Sequence, residues 1–169
     1  MKQGCWRAAA TLCSALLCAS CQSNGPPVTP SGVVDRFRPV DVAVHPISHV
    51  RVRDDGTAVI DMAIELTDAD GFAVRGGGTL KLEFHQGDRH GEAIMSQQAW
   101  SIDLNDPEVN AHRFDPMTRT YLVQEDTTAE SLPRFPRLTA TLYRTGAEAL
   151  RDSRSLVVLT PQDERPLPP

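Results

Sequence analysis

The chain has 169 residues, 17 basic and 22 acidic side chains, a formal net charge of −5 and 40% hydrophobic residues. That size and balance describe one soluble globular domain, not a collagen-like, disordered or polytopic membrane chain. The acidic balance argues against a broad nucleic-acid-binding surface.

Lys2 and Arg7 place positive charge at the start, and residues 8–19 follow as a charge-free apolar run. The run is shorter than the roughly 20 residues that a spanning helix needs. A positive start, a short apolar stretch and small residues at its end make residues 1–20 a secretory signal peptide. Residues 22–32 (QSNGPPVTPSG) hold a single Val among Gln, Ser, Asn, Gly, Pro and Thr, a composition that favours an extended tether. The same logic makes residues 161–169 a disordered tail.

Ala19-Ser20-Cys21 resembles the lipobox of bacterial lipoproteins, with Cys18 where that family usually has Leu. The resemblance implies diacylation of Cys21, cleavage before it and a membrane anchor made of lipid. Gln22 stands where an enterobacterial inner-membrane retention signal would place Asp, which points to the outer membrane, facing the periplasm or the cell surface. Cys5, Cys13 and Cys18 leave with the signal, so the mature domain has no disulfide and no cysteine metal site. Losing Lys2 and Arg7 leaves 15 basic and 22 acidic residues, a net charge of −7.

Between residues 33 and 160 the apolar spacing is mainly two, the period of a strand with one buried face. Val40, Val42 and Val44 begin the series. Ile60, Met62, Ile64 and Leu66 follow, then Leu80, Leu82 and Phe84, then Trp100, Ile102 and Leu104. Tyr121 and Val123 mark a strand at 118–125, Leu138, Ala140 and Leu142 another, and Leu156–Leu159 the last. Asp55-Gly56, Asp70-Gly71, Asp106-Pro107 and Asp115-Pro116 read as turns, and Gly76-Gly77-Gly78 as a bulge or sharp bend. Residues 146–153 read as one turn of helix. The pattern predicts an all-β, antiparallel two-sheet sandwich of immunoglobulin, C2 or transthyretin kind with seven or eight strands, a small barrel being the alternative. Trp100 is expected between the sheets, and Gly71 in a turn with positive φ. The stretches VIDMAIELTDADGFAVRGGGTLKLEF and FDPMTRTYLV, with the Trp100 strand between them, are similar to single-domain β lipoproteins of planctomycete type.

Candidate chemistry is sparse. Asp68-Ala69-Asp70-Gly71 resembles part of a calcium loop, but Leu66 occupies the first ligand position and no closing glutamate follows, so turn chemistry is the simpler reading. His85 with His90, and His45 with His49, would need a third ligand to hold zinc or copper. No nucleophile elbow, zinc-protease helix, phosphate loop or dinucleotide-binding glycine pattern occurs. The basic residues are 15 Arg and two Lys, and Arg51, Arg53, Arg134 and Arg137 read as strand-surface residues available to a partner. The expectation is a lipid-anchored, non-enzymatic binding or assembly module of the bacterial envelope. Its contacts would be the membrane and a protein or envelope-polymer partner, with no cofactor, no bound metal and no nucleic acid. A calcium- or metal-dependent module and an unrecognised enzyme are the alternatives.

Overall fold

The computed structural model describes residues 38–87 and 93–161, with side chains throughout except at 93–97. The signal segment, Cys21, the tether, His90 and the tail from residue 162 lie outside the described residues. Ten strands are present among the described residues: β1 (Asp41–Val44), β2 (His49–Val52), β3 (Thr57–Thr67), β4 (Thr79–Gly87), β5 (Ala93–Asp103), β6 (Phe114–Asp115), β7 (Thr120–Thr128), β8 (Pro136–Tyr143), β9 (Leu150–Ser155) and β10 (Val157–Leu159). They form an all-β sandwich of two open sheets. The larger has the order β10-β2-β3-β7-β6 with β1 also on β3, and the smaller has the order β5-β4-β8-β9. Seven or eight strands were expected; the count rises because the four-residue β2 after Pro46 was not among them and because β6 and β9 carry no apolar alternation. Every pairing is antiparallel except β10 on β2.

The period-two residues form the core. Ile60, Met62, Ile64 and Leu66 of β3 face Leu80, Leu82 and Phe84 of β4 and Leu138, Ala140 and Leu142 of β8, all buried. Each such side chain contributes on the order of 1.5–3 kcal/mol by leaving water. Trp100 takes its expected place between the sheets. It lies opposite Leu82, hence on the inner face, but is only part-buried, whereas Ile102 and Leu104 are buried. The reason is position: β5 is the edge of its sheet, and among the described residues no strand pairs with its outer edge.

Pro46 explains the break between β1 and β2, since proline has no N–H for a ladder. Both strands pair with the same edge of β3, β1 at its C-terminal half and β2 at its N-terminal half. The buried Ser48 bridges the gap. Its hydroxyl accepts from the Ala63 N–H (2.9 Å), which has no main-chain partner among the described residues, and donates to the Ala63 carbonyl (3.1 Å), which also accepts the His45 N–H (2.8 Å).

Two elements differ from expectation. Asp106-Pro107 opens a helix, α1 (Pro107–Arg113), rather than a simple turn: Asp106 Oδ1 accepts from the N–H groups of Glu108 and Val109, and Pro107 sits in the first turn. The expected helical turn at 146–153 is instead a turn at Gly146 (φ 69°) followed by β9. Asp152 and Arg154 of β9 pair across from Ala140 and Leu138, which are inward positions. There Asp152 Oδ2 accepts the Val44 N–H (2.8 Å) and Arg154 Nη1 donates to the Val44 carbonyl (3.0 Å). These two bonds close one flank of the sandwich between β1 and β9.

Truncating Asp152 should leave the Val44 N–H without a partner in a site where Val44 is 1% exposed. Asp152→Ala is expected to destabilise by about 1–3 kcal/mol, and Asp152→Asn, which keeps an acceptor, by clearly less. Urea unfolding of the two variants beside the wild type measures the difference; equal losses would show that the carboxylate does not cap Val44.

Candidate functional site

On the outer face of the larger sheet lies a partly open groove of about 640 Å³, within the size range of ligand sites. Its floor is the central strand β3 at Asp61 and Ala63, its walls are Ile47, His49 and Arg51 on one side and Leu122 and Gln124 on the other, and the end of α1 overhangs it with His112 and Arg113. Strand register builds this arrangement. His49, Asp61 and Gln124 form one row across β2, β3 and β7, and Ala63 sits opposite Leu122. Ala63 is the low point, because its neighbours Ile47 and Leu122 are taller and stand 45% and 39% exposed.

Asp61 is the electrostatic centre. Gln124 Nε2 donates to its Oδ1 at 2.6 Å, Arg51 Nη2 donates to its Oδ2 at 3.1 Å, and His49 Nε2 lies 3.4 Å from the same oxygen. His49 Nδ1 is 2.7 Å from the Ile47 carbonyl, so both ring nitrogens face acceptors. Arg113 differs: among the described residues no carboxylate stands within ion-pair distance of it.

At the end of the sandwich where β3 finishes, a buried polar cluster holds α1 in place. The Tyr121 hydroxyl, buried, accepts from the Gly76 N–H (3.0 Å) and lies 3.1 Å from Asn110 Oδ1. Burial pushes this phenol above its usual pKa. Asn110 Nδ2 in turn donates to the carbonyls of Gly76 and Leu104, both at 2.7 Å. A Cβ on Gly76 would meet Pro39 Cγ at 2.4 Å, so only glycine fits there.

The residues singled out in sequence for metal are not brought together. Asp68 is buried at the end of β3, where its Oδ1 accepts the N–H groups of Asp70 (3.0 Å) and Phe72 (2.9 Å), and Gly71 completes the turn with φ 81°. His85 lies near the far end of β4, and His90 is outside the described residues. Among the described residues no three His, Cys, Asp or Glu side chains gather as a metal ion requires. Asp55, Asp103, Asp106 and Asp115 repeat the Asp68 pattern, each accepting a main-chain N–H two residues on. The Thr57 and Thr118 hydroxyls, joined by these main-chain N–H groups, hold the Asp55 and Asp115 carboxyls below their usual pKa.

Of the groove residues, sequence reading had singled out His49 and Arg51 for other reasons and missed Asp61, Leu122, Gln124, His112 and Arg113. One signal was available: Tyr121-Leu122-Val123 is three apolar residues in a row, so Leu122 must stand on the wet face of its strand. A scan against models of protein families, a search of curated proteins and a search of solved structures each give no match to this chain.

His85 generates a pH prediction. It is 6% exposed although it belongs to the outer face of its sheet, and its Nε2 has no hydrogen-bond partner among the described residues. Burial pushes its pKa below the usual 6.5, with Arg151, Arg137 and Lys81 acting in the same direction and Glu83 opposing. The fold therefore favours the neutral ring, while the unfolded chain takes up the proton first as pH falls. Stability should be full above the usual histidine range and decline as pH falls through and below about 6.5. His85→Gln is expected to flatten that limb of the melting-temperature profile, leaving the carboxylate-dependent loss below about pH 4 unchanged; an identical slope in the variant would refute the assignment.

Proposed function

We propose that this is a lipid-anchored protein of the bacterial cell envelope, acting as a non-enzymatic binding or assembly module through the groove on its larger sheet. The observation that carries the binding role is the state of the groove's charged groups. Asp61 is occupied by Arg51, His49 and Gln124, and His49 by Ile47 and Asp61, so these groups hold one another rather than a reacting atom. Within this row on the sheet no nitrogen or carboxylate is left free to take a proton from a substrate, as a general base must be. An apolar dent with a polar rim is instead the make-up of a recognition surface.

The address rests on the lipobox-like Ala19-Ser20-Cys21 and the polar tether after it. A single acyl chain holds a protein only marginally, and stable anchoring takes two. Diacylated Cys21 meets that condition. No described helix is long and apolar enough to cross a membrane. Intact mass of protein extracted in detergent tests the anchor. The expected mature chain begins at Cys21 and carries a diacylglycerol; a different N-terminus, or Cys21 without acyl mass, would overturn it.

A further inference from the structure

Resting on the binding-module reading, we propose that an extended segment of a partner protein adds as a strand to the free edge of β7, with a carboxylate of that segment on Arg113. β7 is paired on one edge by β3 along 121–128, but β6 covers its other edge only at Thr120 and Tyr121. Beyond those two residues no described strand pairs with this edge, and a row of unpaired N–H and C=O groups is a template for strand addition.

The groove supplies the side-chain half of the recognition. Arg113 is the residue immediately before β6, so it stands where the covered part of the β7 edge ends. It carries a charge that no described carboxylate neutralises, in a chain whose net charge is −5. Asp61, the one acid in the groove lining, already accepts from Arg51 and Gln124, with His49 Nε2 3.4 Å away, and presents little repulsion to an incoming carboxylate. Leu122 offers aliphatic surface beside the new strand, whereas the exposed Asp126 further along disfavours an acid at the other end. The segment is therefore polarised. It runs antiparallel to β7, in line with β6, with its carboxylate near its C-terminal end and an aliphatic side chain toward Leu122. A small apolar ligand fits less well, because an open groove would leave much of its surface in water.

The test uses the full mature chain in detergent and a fluorescein-labelled octapeptide of alternating threonine and valine with one glutamate near its C-terminus. Anisotropy should show binding that weakens at least tenfold when lysine replaces the glutamate. Arg113→Glu should reverse that preference, with the melting temperature reporting that the variant folds. Two further peptides are N-methylated at alternate residues, one in each phase. Strand addition predicts that one phase loses binding and the other keeps it, because only every second N–H faces β7. Equal binding by both phases, or indifference to the glutamate, would overturn the proposal. A photo-crosslinker at Gln124, with one at Ser101 on the other sheet as control, separates the two levels in native membranes. A crosslinked protein at Gln124 without the peptide behaviour overturns strand addition but leaves the module reading standing; no crosslinked protein from Gln124 overturns both.

Discussion

Asp152 and Arg154 reach from β9 to the main chain of Val44, and the shape of the molecule depends on that contact. β1 and β9 belong to different sheets, so no ladder can join them. Yet Val44 is buried, and its outward N–H and C=O need partners. Apolar residues at 152 and 154 would fill the flank and leave both groups unpaired. The acid and the base fill it and satisfy them. Two residues after Arg154 the Leu156 N–H donates to the Pro136 carbonyl, and the chain passes from the smaller sheet into the larger one as β10. At the opposite flank, β5, no such staple is present among the described residues, and Trp100 is only part-buried there.

A second polar device works at the end of the sandwich. Tyr121 and Asn110 both bind the main chain at Gly76, tying together β7, α1 and the loop between β3 and β4. Phe114 packs edge-on against Tyr121 at 5.4 Å, and Arg75 lies over the Phe114 ring. α1 has only seven residues and no buried side chain, so its own burial would not hold it. The Asn110 bonds do, and they set where Arg113 stands over the groove. A structural network thereby positions the groove's uncompensated charge.

The larger sheet owes its outer face to register. A slip of one residue between β3 and β7 would turn Leu122 and Gln124 inward and Val123 outward. The core prevents it, because Tyr121 and Val123 have buried places that no neighbour could take. The groove is thus a by-product of core packing: the inner face selects the register, and the register brings His49, Asp61 and Gln124 into one row.

Much of the fold was legible because β3, β4 and β8 place apolar residues at every second position, a period that no helix shares. Asp-Gly and Asp-Pro pairs were legible as chain reversals because their local hydrogen bonds need no distant partner, although one of them, Asp106-Pro107, also caps a helix. β9 was not legible, because its inward positions hold Asp152 and Arg154, whose reason lies at Val44, over a hundred residues away. The groove was hidden for the same cause. Asp61, Gln124 and Arg113 are ordinary surface residues in sequence, and only strand pairing and the Asn110 anchor set them around Ala63. By itself, then, the sequence determined periodicity, turns and the lipobox-like start, which depend on residues near one another in the chain. Which polar side chains meet, and which edge and which charge remain without a partner, only the tertiary structure decided, because those properties belong to contacts between distant segments.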